Sequence, residues 1–143
     1  MNLSVIPACA VALSLLLAPA LSSPLEAQQG SGEVDPAGLY TKVQAEKGKE
    51  LYEIECTICH APREFSGPVF QRRWLTPPVS GIFVHIMNTM PQDAPGSLSP
   101  EQTAAIVAYI LELNGQPAGP EPLPVETEKL TQIRVPVDTD NRR

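Results

Sequence analysis

The residues with the clearest capacity for chemistry are Cys56-Thr57-Ile58-Cys59-His60. Two thiols separated by two residues and followed at once by an imidazole read as a c-type haem attachment site. The spacing has a chemical reason. Each thiol can add to one of the two vinyl groups on the same porphyrin edge, giving two thioethers. The next side chain then lies under the macrocycle, where the His60 imidazole can bond the iron as an axial ligand. Two other chemistries use part of the pattern. A redox dithiol shares the C-x-x-C spacing and works through a lowered thiol pKa, but it expects a strand-then-helix context and does not need the histidine. Zinc wants four ligands, typically two Cys/His pairs, and the only other histidine in the chain is His85. Three rare residues at fixed offsets point to a single, covalently attached haem c.

Iron held by histidine alone keeps a binding position, whereas histidine plus methionine closes it and raises the potential. Met87, Met90 and His85 are the candidates for a second axial ligand. Met87 and His85 fall on an expected helix, where an apolar methionine usually belongs to the core. Met90 falls on the loop that leaves that helix, next to Pro91, and loops can bring a side chain over a macrocycle face. Met90 is therefore the expected ligand; its plainer reading is a gap-filling hydrophobe. A ligating histidine usually donates its other ring N–H to a nearby acceptor. In Gly67-Pro68 the Pro68 carbonyl is the candidate acceptor, and a simple turn is the alternative.

These side chains need elements to hold them. From Thr41, charged and apolar residues mix at helical spacing through Val43, Lys47, Leu51, Tyr52 and Ile54, which predicts a helix over 41–55 running straight into Cys56. Gly48 lies inside it at a cost of about 1 kcal/mol relative to alanine, with a close helix approach or mere tolerance as its two readings. Residues 61–68 are turn chemistry. Ser80 reads as the N-cap of a second helix carrying Ile82, Phe83, Ile86 and Met87, which must stop near Asn88 because Pro91 disfavours helix before it. The third helix is the most sharply bounded. Ser99 caps it, Pro100 opens it, Gln102 completes a capping box, and Asn114-Gly115 ends it near 113.

At 143 residues the chain has room for one ordinary domain, and its aromatic content of 5% makes for a modest core. A large apolar cofactor at the centre would help such a core, since small domains bury too little surface alone. The net charge of −6 argues against nucleic acid as a partner. Residues 3–21 are apolar and uncharged, with small residues at Ala18, Ala20 and Ala27, as in a secretory signal peptide. The n-region lacks lysine and arginine. A retained membrane anchor is the rival reading, but Pro7 and Pro19 interrupt the run and it falls short of the ~20 apolar residues a span needs. The expected organisation is a signal over 1–27, a flexible leader over 28–39, a compact domain over 40–115 and a Pro-rich extended tail over 116–143. Removal of the signal takes away Cys9 and leaves only the two haem thiols. The tail has little apolar content of its own, so it is either disordered or a strap on the domain or a partner.

The order of parts resembles the class I c-type cytochromes: an N-terminal helix, C-x-x-C-H, Gly-Pro, a loop methionine and a C-terminal helix. Asn88-Thr89-Met90-Pro91, Pro95-Gly96-Ser97-Leu98-Ser99, Ala108-Tyr109-Ile110-Leu111 and Asn114-Gly115 are more narrowly similar to the cytochromes that serve quinoprotein alcohol dehydrogenases. Trp74, ahead of the second helix, fits the same group and joins the residues expected to contact the cofactor. The resemblance spans about residues 41 to 115. It implies an all-α cytochrome c fold with three or more helices wrapped around one haem. The first and last helices would cross near Gly48, Tyr52 and Tyr109, and His60 and Met90 would be the axial ligands. Ala61 departs from the pattern, since many members carry glycine there. The function implied is that of a periplasmic one-electron carrier, not an enzyme. A dehydrogenase would be its donor and an oxidase or another cytochrome its acceptor, with a membrane involved only if the signal is retained. A tightly bound dehydrogenase subunit and a haem-based sensor are the alternatives.

Overall fold

The structure, a computed structural model, describes residues 38–137. The expected signal peptide, most of the leader and the last six residues of the tail lie outside them. Among the described residues there are no strands. The helices are α1 (Lys42–Glu55), α2 (Gly67–Phe70), α3 (Val79–Thr89), α4 (Pro100–Leu113) and α5 (Thr127–Leu130), with a 3-10 turn at Pro62–Phe65 and a π-helical turn at Gln71–Leu75.

Helix α1 starts where Thr41 supplies a cap: its Oγ1 accepts the Gln44 N–H at 3.1 Å, satisfying a donor the first turn leaves orphaned. Thr41 is thus the cap rather than the first helical residue. Helix α4 carries the expected capping box, with Ser99 Oγ accepting the Gln102 N–H at 3.2 Å and Gln102 Oε1 accepting the Ser99 N–H at 2.8 Å. Gly115 beyond its end has φ of +75°, the left-handed conformation that glycine takes without steric cost.

Packing of α1 on α4 is the centre of the fold. Gly48 makes it possible: a Cβ built there would stand 1.8 Å from the Ala105 carbonyl oxygen. The backbones therefore meet where α1 has no side chain, and the close-approach reading of Gly48 is the right one. Tyr52 on α1 and Tyr109 on α4 have ring centroids 5.4 Å apart, so both aromatics lie at the α1–α4 contact. Ala104, Val107, Ala108 and Leu111 of α4 are fully buried around the crossing.

Two expectations need correcting. Ser80 is not the N-cap of α3, because Pro78 holds that position and offers no side-chain cap. The orphaned Val79 N–H is taken instead by the Ile133 carbonyl at 3.1 Å. Residues 61–68 are more than turns, since Gly67-Pro68 open α2, with proline in the first helical turn where its missing N–H is harmless. Of the two readings of the tail, the strap is the one that holds through Val137. Leu123, Leu130 and Val135 are buried in the shared core. Gln44 of α1 donates to the Leu123 carbonyl at 3.0 Å and accepts the Leu123 N–H at 2.8 Å. Tyr40 Oη donates to the Gln116 carbonyl at 2.6 Å, and the Gly119 N–H donates back to the Tyr40 carbonyl at 2.7 Å. The strap thus ties the start of α1 to the start of α3.

Candidate haem site

The attachment motif is the unwinding end of α1. The Cys56 N–H still bonds the Tyr52 carbonyl, and the Cys59 and His60 N–H groups both bond the Cys56 carbonyl, at 3.1 and 2.9 Å. Those bonds hold Cys59 and His60 one turn beyond Cys56. Both thiols are free, Cys56 half-buried and Cys59 exposed. Burial, reinforced by the neighbouring Glu55 carboxylate, pushes the Cys56 thiol up from its ordinary value. That is the reverse of what a reactive dithiol needs. Among the described residues no three His, Cys, Asp or Glu side chains are grouped so that they could hold a metal ion.

His60 is fixed from three sides. Tyr52 Oη donates to its backbone carbonyl at 2.9 Å. The Phe65 ring stands edge-on to the imidazole at 5.2 Å between centroids, and the same ring packs against Tyr52 and Phe70, each at 5.7 Å. Nδ1 of His60 faces Glu64 Oε2 at 3.3 Å. Burial, with lesser contributions from Cys56, Tyr109 and Glu64, pushes the Tyr52 phenol up to about 12. It stays a neutral donor to His60. The Glu64 carboxyl is held below its ordinary value, first by the Ala61 N–H and then by His60.

The other expected residues are placed as follows. The Gln71 N–H is shared between the Gly67 and Pro68 carbonyls, and the side chain that faces His60 Nδ1 is that of Glu64. The 3-10 turn at Pro62–Phe65 brings Glu64 back toward His60. Trp74 lies on the π-helical turn, half-buried, its ring 4.7 Å from that of His85 and with the Arg73 guanidinium 5.3 Å from its centroid. His85 is exposed on α3. Met90 is the C-cap of α3, its N–H bonded to the Ile86 carbonyl. Phe65, Trp74, Met87 and Met90 are partly buried hydrophobics packed against the core. Sequence reasoning missed Glu64 and Asn114. Asn114 Nδ2 donates to the Phe65 carbonyl at 2.7 Å and to the Ile110 carbonyl at 2.8 Å, pinning the turn after His60 to the end of α4.

Two free thiols on one helical turn, a buttressed imidazole and half-buried apolar side chains packed on the core are the donor set and wall that haem c needs. Residues 43–110 match the family model described as cytochrome C oxidase, cbb3-type, subunit III. No curated protein and no solved structure matches the chain. The match supports a class I c-type cytochrome domain, all-α, carrying covalently attached haem c and serving electron transfer rather than catalysis. No helix among the described residues is long and apolar enough to cross a membrane.

Proposed function

We propose that the chain is an exported electron carrier whose haem is bonded to Cys56 and Cys59 and ligated by His60 and Met90. The observation that carries the reading is the donor set itself: an imidazole held in place directly after two free thiols. Haem supplies one-electron chemistry at iron, and the protein sets its potential through ligands, burial and hydrogen bonds. Met90 suits the second ligand role because it caps the C-terminal end of α3, whereas Met87 lies within the helix and His85 is exposed beside Trp74. Trp74 and Pro68 complete the proposed residues of the cofactor site. A haem held by both His60 and Met90 would have no position open to small ligands, which would leave electron transfer as the chemistry available.

The donor in this reading is a periplasmic quinoprotein-type dehydrogenase and the acceptor an oxidase or another cytochrome. The oxidase-subunit description of the matching family model favours one second reading, a cytochrome subunit held within a larger redox complex. Mixing the ferric protein with a reduced quinoprotein alcohol dehydrogenase in a stopped-flow instrument tests the donor. Reduction as fast as dehydrogenase turnover is expected, and reduction far slower than turnover overturns the donor. Copurification with a catalytic chain through size exclusion would replace the free carrier with the subunit reading.

A further inference from the structure

We infer that residues 116–137 are a positioning strap for Met90, fastening the start of the helix that Met90 ends. The inference rests on Met90 being an axial ligand. The strap lies beyond residues 43–110, the stretch that matches the family model, yet it is tied into the domain at three points. Leu123 exchanges two hydrogen bonds with Gln44 near the start of α1. The Ile133 carbonyl takes the Val79 N–H at 3.1 Å. The Pro136 carbonyl accepts Gln116 Nε2 at 3.0 Å, which closes the segment back on the residues just after α4.

The middle tie is the one that acts on the site. Pro78 gives α3 no side-chain cap, so the strap supplies the carbonyl for its first N–H. The short helix α5 packs on α3, and its Leu130 is fully buried in the core that also holds Val79, Ile82, Phe83 and Ile86 of α3. The 11 residues of α3 make a rod about 16 Å long, with the strap at one end and Met90 at the other. The Met90 N–H is bonded to the Ile86 carbonyl, so Met90 is coupled to the last turn and moves with it. A ligand must be held within about 0.5 Å of its working position. Freeing the Val79 end takes buried apolar contact and a hydrogen bond away from α3, which lowers the cost of opening that helix locally. Helix α4, which also packs on α3, remains as its other support. The strap therefore sets how often Met90 leaves the iron.

The test titrates the haem-loaded, ferric full chain with imidazole and follows the methionine charge-transfer band. Imidazole bonds the iron only in molecules that Met90 has left, so its apparent affinity reads that population. Leu130→Ala should raise the affinity by about tenfold or more. Leu130→Ile, which keeps the volume, should return it most of the way to wild type. Val79→Pro deletes the N–H that the strap binds, at a first helical position where proline is tolerated, and should raise the affinity by about threefold or more. Leu51→Ala makes the same truncation as Leu130→Ala in α1, which packs on α4, and should move the affinity by less than about threefold. A Leu130→Ala affinity no higher than that of Leu51→Ala, with the wild-type band intact, overturns the role of the strap. Should Leu130→Ala fail to fold, Val79→Pro decides by the same comparison. A wild-type ferric protein without the band overturns ligation by Met90, and this inference with it.

Discussion

Replacing Gly48 with alanine tests the α1–α4 crossing on which the site stands. In an isolated helix the change would be favourable by about 1 kcal/mol, since glycine is the poorer helix former. Here the added Cβ would meet the Ala105 carbonyl oxygen at 1.8 Å and its carbon at 2.4 Å, where real Cβ contacts essentially never fall below 3.0 Å. Both obstacles are backbone, so no rotamer change relieves them, and the helices must part by roughly an ångström in a core that tolerates little overpacking. Overpacking of this severity costs about 3 kcal/mol or more. After the propensity gain, the net loss is about 2 kcal/mol, a fall in Tm of roughly 8–16 °C for a domain of this size. Gly81→Ala is the matched control. It lies in α3 with nothing within 4 Å of the new Cβ, so the same substitution should raise Tm by a few degrees. Thermal unfolding of the haem-loaded proteins, followed by far-UV circular dichroism, gives both signs at once. A Gly48→Ala protein as stable as the wild type would refute the close crossing.

Other consequences follow from single contacts. Leu130→Ala should cost about 2–4 kcal/mol in urea unfolding, because the side chain is fully buried; a loss below 0.5 kcal/mol would mean the tail is not packed. Gln44→Ala removes both bonds to Leu123 and should cost about 1–2 kcal/mol, with faster amide exchange at Leu123 as the local readout. Asn114→Ala releases the Phe65 carbonyl from α4 and should cost about 1–3 kcal/mol, read by urea unfolding of the haem-loaded protein. Tyr52 has a folded pKa of about 12 against an ordinary 10.0. Its contribution is fully present below pH 10 and is lost as pH rises toward 12, since the unfolded chain deprotonates first. The fall in unfolding midpoint across that window should be shallower in Tyr52→Phe.

Local signals made most of the frame legible. The capping box at Ser99 and Gln102, the Asn114-Gly115 stop and the breaker at Pro91 act within a few residues, so α3 and α4 end close to where the sequence says they should. What escaped depends on contacts between distant segments. Val79 needs no side-chain cap because Ile133 supplies a carbonyl. That partner has no trace in the local pattern, and Ser80 looked like the cap. The strap reads as polar and proline-rich, yet Gln44 meets Leu123 across 79 positions, and Leu123, Leu130 and Val135 are too irregularly spaced to show a period. Within the site, the attachment motif declares itself by residue type alone. Glu64 does not, because its place beside His60 comes from a 3-10 turn that folds it back, and the turn chemistry at 61–68 shows only that the chain bends. The π-helical turn carrying Trp74 has no sequence signature of its own.

The proposed closed iron site is tested most directly by the absorption spectrum of the purified ferric protein beside Met90→Ala and Met87→Ala. The red-region charge-transfer band of methionine-ligated ferric haem should be present in the wild type and in Met87→Ala, and absent in Met90→Ala. The reduced Met90→Ala protein alone should then bind carbon monoxide rapidly. A wild-type protein that lacks the band and takes up carbon monoxide at once would contradict ligation by Met90, and with it electron transfer through a closed site.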